Sequence, residues 1–215
     1  MRLLNCRTKE LEFFMGTPPY YAILSHTWED QEVTFDIYHN TDTDYTSFKG
    51  WYKIQQACAQ ALEDGLKYLW ADTICIDKSS SSELSESINS MFNWYRDSDW
   101  CYCFLSDLPF VSFEASRWFN RGWTLQELVA PQKSKFYDQN WKFLGSKSDL
   151  VNQLHQITGI DPISLQGGSG SLRLMSVARK MSWASKRQTT RPEDMAYCLL
   201  GLFGISMPML SVIVI

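Results

Sequence analysis

The sequence lacks the excess of basic residues that a nucleic-acid-binding protein needs. Lysine and arginine number 20 against 24 acidic residues, which leaves a net charge of −4 at pH 7. Proteins that bind nucleic acid neutralise backbone phosphates with clustered basic side chains. Only one local basic cluster is present, near residues 179–191. We therefore expect no nucleic-acid partner.

Metal-binding spacing and long apolar runs are also missing. No two of the six cysteines have the C-x-x-C spacing of a zinc site, and the chain has three histidines. This favours buried free thiols in a reducing compartment and no bound metal. The first residues lack the apolar core of a signal peptide, and no apolar stretch is long enough to cross a membrane. The sequence therefore predicts a cytoplasmic protein without a membrane partner.

Apolar and aromatic side chains, by contrast, are plentiful. Of the 215 residues, 45% are hydrophobic and 14% aromatic, and nine are tryptophan. A chain of this length and composition is expected to fold as one globular domain with a substantial core. The aromatic content indicates thick aromatic packing or a cleft lined by aromatic rings.

Apolar patterning predicts an α/β fold. Short apolar runs predict buried strands, and apolar stripes at helical spacing, such as residues 51–62 followed by Gly65, predict helices. The two alternate over residues 20–158, which predicts a mostly parallel sheet flanked by helices. The single predicted domain, 1–215, has its core at 20–158 and C-terminal helices at 172–210. The predicted strands are 20–25, 68–76, 100–105 and 134–137, preceded by a hairpin of 2–6 and 11–14; the predicted helices include 84–95, 118–129, 148–158, 172–185 and 191–203.

Polar side chains collect where the predicted strands end. Ser25, His26 and Trp28 follow the first strand of the alternating region, and Asp72 and Asp77 belong to the end of the second. In sheets of this kind, ligands bind beyond the carboxyl ends of the strands. We therefore expect these five side chains to border one ligand-binding cleft, together with Glu127 from a later segment.

Several segments resemble signatures of the fungal heterokaryon-incompatibility (HET) domain family. They are residues 22–28 (AILSHTW), 69–77 (LWADTICID) and 121–128 (RGWTLQEL), and residues 181–187 (MSWASKR) with 193–197 (EDMAY) resemble the family's closing segment. The matches occur in the family's order and cover nearly the whole chain. The resemblance implies a cell-death effector in fungal non-self recognition, a form of innate immunity. It also implies partners that are further copies of the chain or other incompatibility and immune-receptor proteins.

The end of the chain departs from the family pattern. After residues 207–210 (MPML) the family usually continues Tyr-Gly-Glu-Gly, whereas this chain continues SVIVI. The packing of the last helix is therefore left open.

HET domains are in turn similar to Toll/interleukin-receptor (TIR) domains, which have a flavodoxin-like fold. Trp123 and Glu127 have the W-x-x-x-E spacing of the motif that supplies the NAD-cleaving glutamate in catalytic TIR domains. The resemblance thus implies a TIR-like fold, a catalytic Glu127, and NAD as a substrate instead of a bound cofactor. Two roles stay open: an NAD glycohydrolase that works when clustered, and a non-catalytic adaptor that signals by self-assembly.

The chemistry of these residues fits the first role. Glu127 lies one helical turn after Trp123, so their side chains share a face. A carboxylate there would hold ribose hydroxyls and stabilise an oxocarbenium-like transition state. Arg121, in the same segment, would contact phosphate. Trp28 would stack on a ring, and His26 would titrate near neutrality.

Each of these residues also has a structural alternative. Glu127 would then form a salt bridge on a helix surface, and His26 and Trp28 would pack in the core. Asp72 would accept backbone hydrogen bonds at a strand end. A hydrolase with Cys75 as nucleophile and His26 as base is a further alternative, but we favour a packing role for this thiol.

Overall fold

A computed structural model describes residues 1–40 and 42–208, and in these residues seven strands form one sheet. The order across the sheet is β2-β1-β4-β3-β5-β6-β7. The strands are β1 (Arg2–Asn5), β2 (Leu11–Phe13), β3 (Tyr21–His26), β4 (Tyr68–Trp70), β5 (Trp100–Leu105), β6 (Ser134–Asp138) and β7 (Phe143–Ser146).

The centre of the sheet is parallel and its two edges are antiparallel. β3 pairs in parallel with β4 on one side and with β5 on the other, and β5 pairs in parallel with β6. The predicted α/β class and the predicted adjacency of these strands are confirmed. At the edges, the hairpin of β1 and β2 joins β4, and β7 joins β6, both antiparallel. The sheet is therefore mixed, with the parallel strands at its centre.

Helices cover this sheet. All six residues of β3 are buried, as expected for a strand covered on both faces. The helices in the described residues are α1 (Phe35–His39), α2 (Lys49–Glu63), α3 (Asp72–Cys75), α4 (Ser81–Asp97), α5 (Thr124–Val129), α6 (Val151–Thr158), α7 (Pro162–Gln166), α8 (Gly168–Leu172), α9 (Val177–Ala184), α10 (Asp194–Tyr197) and α11 (Leu200–Phe203), with 3-10 turns at Tyr45–Ser47, Phe113–Ala115 and Arg117–Asn120.

Two predicted elements differ from the structure. The predicted strand 68–76 ends at Trp70, and its second half forms α3, in which Thr73, Ile74 and Cys75 are buried. A short apolar run cannot by itself separate a buried strand from a buried helical turn. The predicted helix 118–129 is interrupted because the N–H of Gly122 donates to the carbonyl of Gln188 at 2.8 Å.

The C-terminal extension is helical, as predicted, but its helices are short. Helix α11 packs on α4. Gly201 lies so close to Phe92 in this contact that a residue with a Cβ would not fit. Trp183 and Leu202 belong to the same apolar core as the sheet. The departure from the family pattern after Leu210 lies outside the described residues. None of the described helices has the length and apolar content needed to cross a membrane.

Candidate functional site

A hydrogen-bonded serine–glutamate pair lies at the carboxyl end of β3. The Ser25 hydroxyl donates to Oε2 of Glu127 at 2.5 Å. The indole N–H of Trp118 donates to the same serine oxygen at 2.9 Å. Ser25 and Trp118 are fully buried, and Glu127 is 6% exposed. The first and third family-like segments therefore meet inside the protein at this pair.

Burial changes the proton affinity of this glutamate. It raises the pKa of Glu127 to about 8, and the negative charge of Asp72 adds to the effect. The hydrogen bond from Ser25 and the positive charge of Arg121 oppose it. At neutral pH the side chain is therefore mostly a neutral acid that can donate as well as accept a hydrogen bond.

Helix α5, which carries Glu127, is held at both ends by buried cations. At its start, the Arg187 guanidinium donates to the Thr124 hydroxyl at 2.9 Å and to the Arg121 carbonyl at 2.8 Å. At its end, the Lys147 ammonium donates to the Leu128 carbonyl at 3.2 Å. Cations near the C-terminus of a helix are favoured by its dipole. The C-terminal extension, through Arg187, thus helps to position Glu127.

A second buried cluster surrounds His26. Its Nε2 lies 3.7 Å from Oδ1 of Asp72 and 3.9 Å from Oε2 of Glu32. Glu32 is paired with the Lys53 ammonium, and all but Asp72 are almost fully buried. Burial and the charge of Lys53 lower the pKa of His26 well below its ordinary value. His26 is therefore neutral at pH 7 and does not titrate near neutrality as predicted.

A third group, formed by Trp28, Asp72 and Lys78, reaches the surface next to this cluster. The Trp28 indole N–H donates to Oδ2 of Asp72 at 2.9 Å, and the Lys78 ammonium lies 3.2 Å from the same oxygen. Burial acts to raise the pKa of Asp72, but Lys78 and the Trp28 hydrogen bond outweigh it and lower the pKa to about 2. Asp72 is therefore a carboxylate at every physiological pH.

The structure thus joins Ser25 to Glu127, and it brings both His26 and Trp28 to Asp72. Asp77 and Trp123 have other partners. The Asp77 carboxylate binds the Ser79 backbone and hydroxyl at 2.9 and 2.6 Å, which orders the following loop. The Trp123 indole N–H points to Asp194 in α10, at 3.3 Å. Trp123 precedes α5 with helical backbone angles, but its side chain packs in the cluster of Ile88, Tyr197 and Leu200, whereas that of Glu127 is bonded to Ser25.

The Ser25–Glu127 pair lies below the surface of the protein. The positive charge of Arg121 lowers the pKa of both Glu127 and His26. Burial raises the pKa of Cys75 to about 12, so this thiol is poorly suited to nucleophilic attack.

The sequence prediction missed Trp118, Glu32 and Lys53. Lys53 could have been found, because it lies on the same helical face as Ala57, in the apolar stripe of α2, and a lysine there signals a buried ion pair. Glu32 could not have been found in this way, because it lies in a loop, where an acidic residue is ordinarily exposed. In the described part of the chain, no group of histidine, cysteine and acidic side chains could hold a metal ion.

These features define an α/β domain whose central strand ends at a buried serine–glutamate pair. Residues 21–109 match the family described as "Heterokaryon incompatibility protein (HET)". The chain is 41% identical, over 94% of its length, to "Vegetative incompatibility protein HET-E-1" of Podospora anserina. The chain therefore belongs to the HET domain family. It spans 16% of the length of that relative.

No solved structure matches the chain. The similarity to TIR domains consequently remains a prediction from the sequence motif and the order of the elements.

Proposed function

We propose that this chain is the effector domain that triggers cell death in fungal non-self recognition, and that it acts by cleaving NAD. Membership of the HET family supports the role in heterokaryon incompatibility. The six cysteines are free thiols, which supports action in a reducing compartment, the cytoplasm. The Ser25–Glu127 pair at the end of β3 is the observation that carries the enzymatic part of the proposal.

The proposed reaction breaks the bond between C1′ of ribose and the ring nitrogen of nicotinamide. The bonding electron pair leaves with nicotinamide, which becomes neutral, and water adds to C1′ and loses a proton. Ionised Glu127 would stabilise the positive charge that develops on the ribosyl carbon. The positive charge of the bound nicotinamide ring would favour that ionisation, because an opposite charge nearby lowers the pKa of a buried acid.

Glu127 lies below the surface, so NAD reaches it only when the side chains above the pair move apart. We propose that association between copies of the domain favours this opening. Activity would then depend on protein concentration.

The test is to incubate the purified chain with NAD at low and high protein concentration and to measure free nicotinamide. We expect release at high concentration and a ~10²–10³-fold loss in the Glu127→Gln variant, the usual effect of removing one preorganised charged group. Glu114→Gln is the matched control, since Glu114 is exposed and accepts a hydrogen bond from Gln153. Equal release by wild type and Glu127→Gln would refute a catalytic glutamate.

A second candidate is a non-catalytic adaptor that signals by assembling with itself or with other incompatibility proteins. It is favoured by the observation that Ser25 and Glu127 satisfy each other in the core, as structural residues do. An adaptor would leave NAD intact at both concentrations while still killing cells.

A further inference from the structure

A lysine lies over one face of the Trp28 ring, beside the candidate site. The Lys78 ammonium is 3.5 Å from the centroid of the Trp28 ring and 3.2 Å from Oδ2 of Asp72. The indole N–H of Trp28 donates to that same carboxylate oxygen. One aromatic face and one carboxylate therefore hold a single positive charge between them.

We propose that this face binds a flat organic cation of the pyridinium class and that Lys78 is an internal occupant that competes with it. The inference rests on the proposed function, in which the nicotinamide ring of NAD carries this charge. The face of an indole attracts cations through its quadrupole, and the adjacent carboxylate strengthens the attraction. A planar ring would also stack on the indole, which an ammonium group cannot do.

The three side chains are accessible enough for such an exchange. The Lys78 side chain is 34% exposed and that of Asp72 is 24% exposed, and Trp28 is half-buried. Lysine has a flexible stem, so its ammonium can move into water without a change in the backbone. Asp72 and Trp28, in contrast, are tied to each other and would stay in place.

The position of this face fits the proposed reaction. Trp28 follows Ser25 by three residues, and the charge of Asp72 acts on the pKa of Glu127. A pyridinium ring on Trp28 would thus be bound in the same part of the protein as the Ser25–Glu127 pair.

Another lysine over a tryptophan offers a matched control. Lys133 lies 5.3 Å from the ring of Trp100, at the start of β5 and thus at the opposite end of the sheet. It is exposed, as Lys78 is. Lys135 also lies over this ring, at 4.4 Å, and remains in the variant. The change Lys133→Gln therefore removes one exposed lysine charge beside a tryptophan without touching the Trp28 face.

The experiment titrates 1-methylnicotinamide, a cation, and nicotinamide, its neutral counterpart, into the ¹⁵N-labelled chain. The indole N–H signal of Trp28, assigned by its loss in Trp28→Phe, reports binding. We expect Lys78→Gln to bind the cation about fivefold more tightly than wild type, because a competing cation–π contact of ordinary strength is removed. Lys133→Gln should bind as wild type does, Lys78→Arg should gain nothing, and Asp72→Asn should bind more weakly.

An unchanged affinity in Lys78→Gln, or an equal gain for neutral nicotinamide, would overturn the proposal. The same spectra show whether each variant is folded. Cation binding without nicotinamide release from NAD would refute the proposed reaction and leave this site standing. Nicotinamide release together with an unchanged cation affinity in Lys78→Gln would refute this site and leave the proposed reaction standing.

Discussion

Replacing Glu127 with glutamine should stabilise the protein, and by an amount that depends on pH. Burial raises the pKa of Glu127 from its ordinary 4.5 to about 8. The unfolded chain therefore loses this proton from pH 4.5 upward, while the folded chain keeps it until about pH 8. Between these limits the folded state binds more protons, so each pH unit lowers stability by about 1.4 kcal/mol. At pH 7 the accumulated loss is about 3 kcal/mol.

Glutamine keeps the volume of the neutral acid and carries no proton that titrates, so it removes this loss. It costs about 1 kcal/mol if its hydrogen bond with Ser25 is poorer. Urea unfolding of wild type and Glu127→Gln at pH 5, 6, 7 and 8 measures the difference. We expect the advantage of the variant to grow with pH over this range, and measurements at pH 9 and 10 should show it levelling off. Parallel stability curves for the two proteins would refute the reasoning, because they would show that folding leaves the proton affinity of Glu127 unchanged.

Three further predictions concern activity and the buried ion pair. If ionised Glu127 is the working form, kcat/KM for NAD should rise about tenfold per pH unit and level off near pH 8; a flat profile from pH 6 to 8 would contradict this. Cys75→Ser should leave killing in a fungal viability assay mostly intact, since burial raises the pKa of this thiol to about 12; complete loss in a folded variant would support a thiol nucleophile. Lys53→Met should lower stability in urea unfolding by about 3–5 kcal/mol because it strands the buried charge of Glu32. Adding Glu32→Gln should recover most of that loss, and a failure to recover would show that the pair is not the cause.

The centre of the fold could be predicted from the sequence because its strands are continuous apolar runs. The runs at residues 20–25 and 100–105 are bounded by turn and polar residues, and helical stripes separate them. Apolar runs that are separated by helices predict parallel strands. They also predict that the polar residues at the strand ends meet at one edge of the sheet. The proximity of Ser25 and Asp72 to one another is a consequence of that rule.

The remaining features depend on contacts between residues far apart in the sequence. Ser25 and Glu127 are 102 residues apart, and the contact between them forms together with others, such as the hydrogen bond of Trp118 to Ser25. The W-x-x-x-E spacing predicted one shared face, but the Trp123 indole is bonded to Asp194 and the Glu127 carboxyl to Ser25. The buried pair of Glu32 and Lys53 is likewise invisible in the sequence, because it joins a loop to a helix across 21 residues.

The link between Gly122 and Gln188 has a consequence for the order in which the protein matures. The helix that carries Glu127 is secured by Arg187, whose hydrogen bond to the Arg121 carbonyl spans 66 residues. Contacts of such long range form late, and during synthesis the N-terminal part of a chain emerges and folds first. While a ribosome is still making the C-terminal extension, the sheet can assemble but α5 lacks its anchor. A nascent chain would therefore hold its candidate catalytic helix without this anchor until residue 188 has been released.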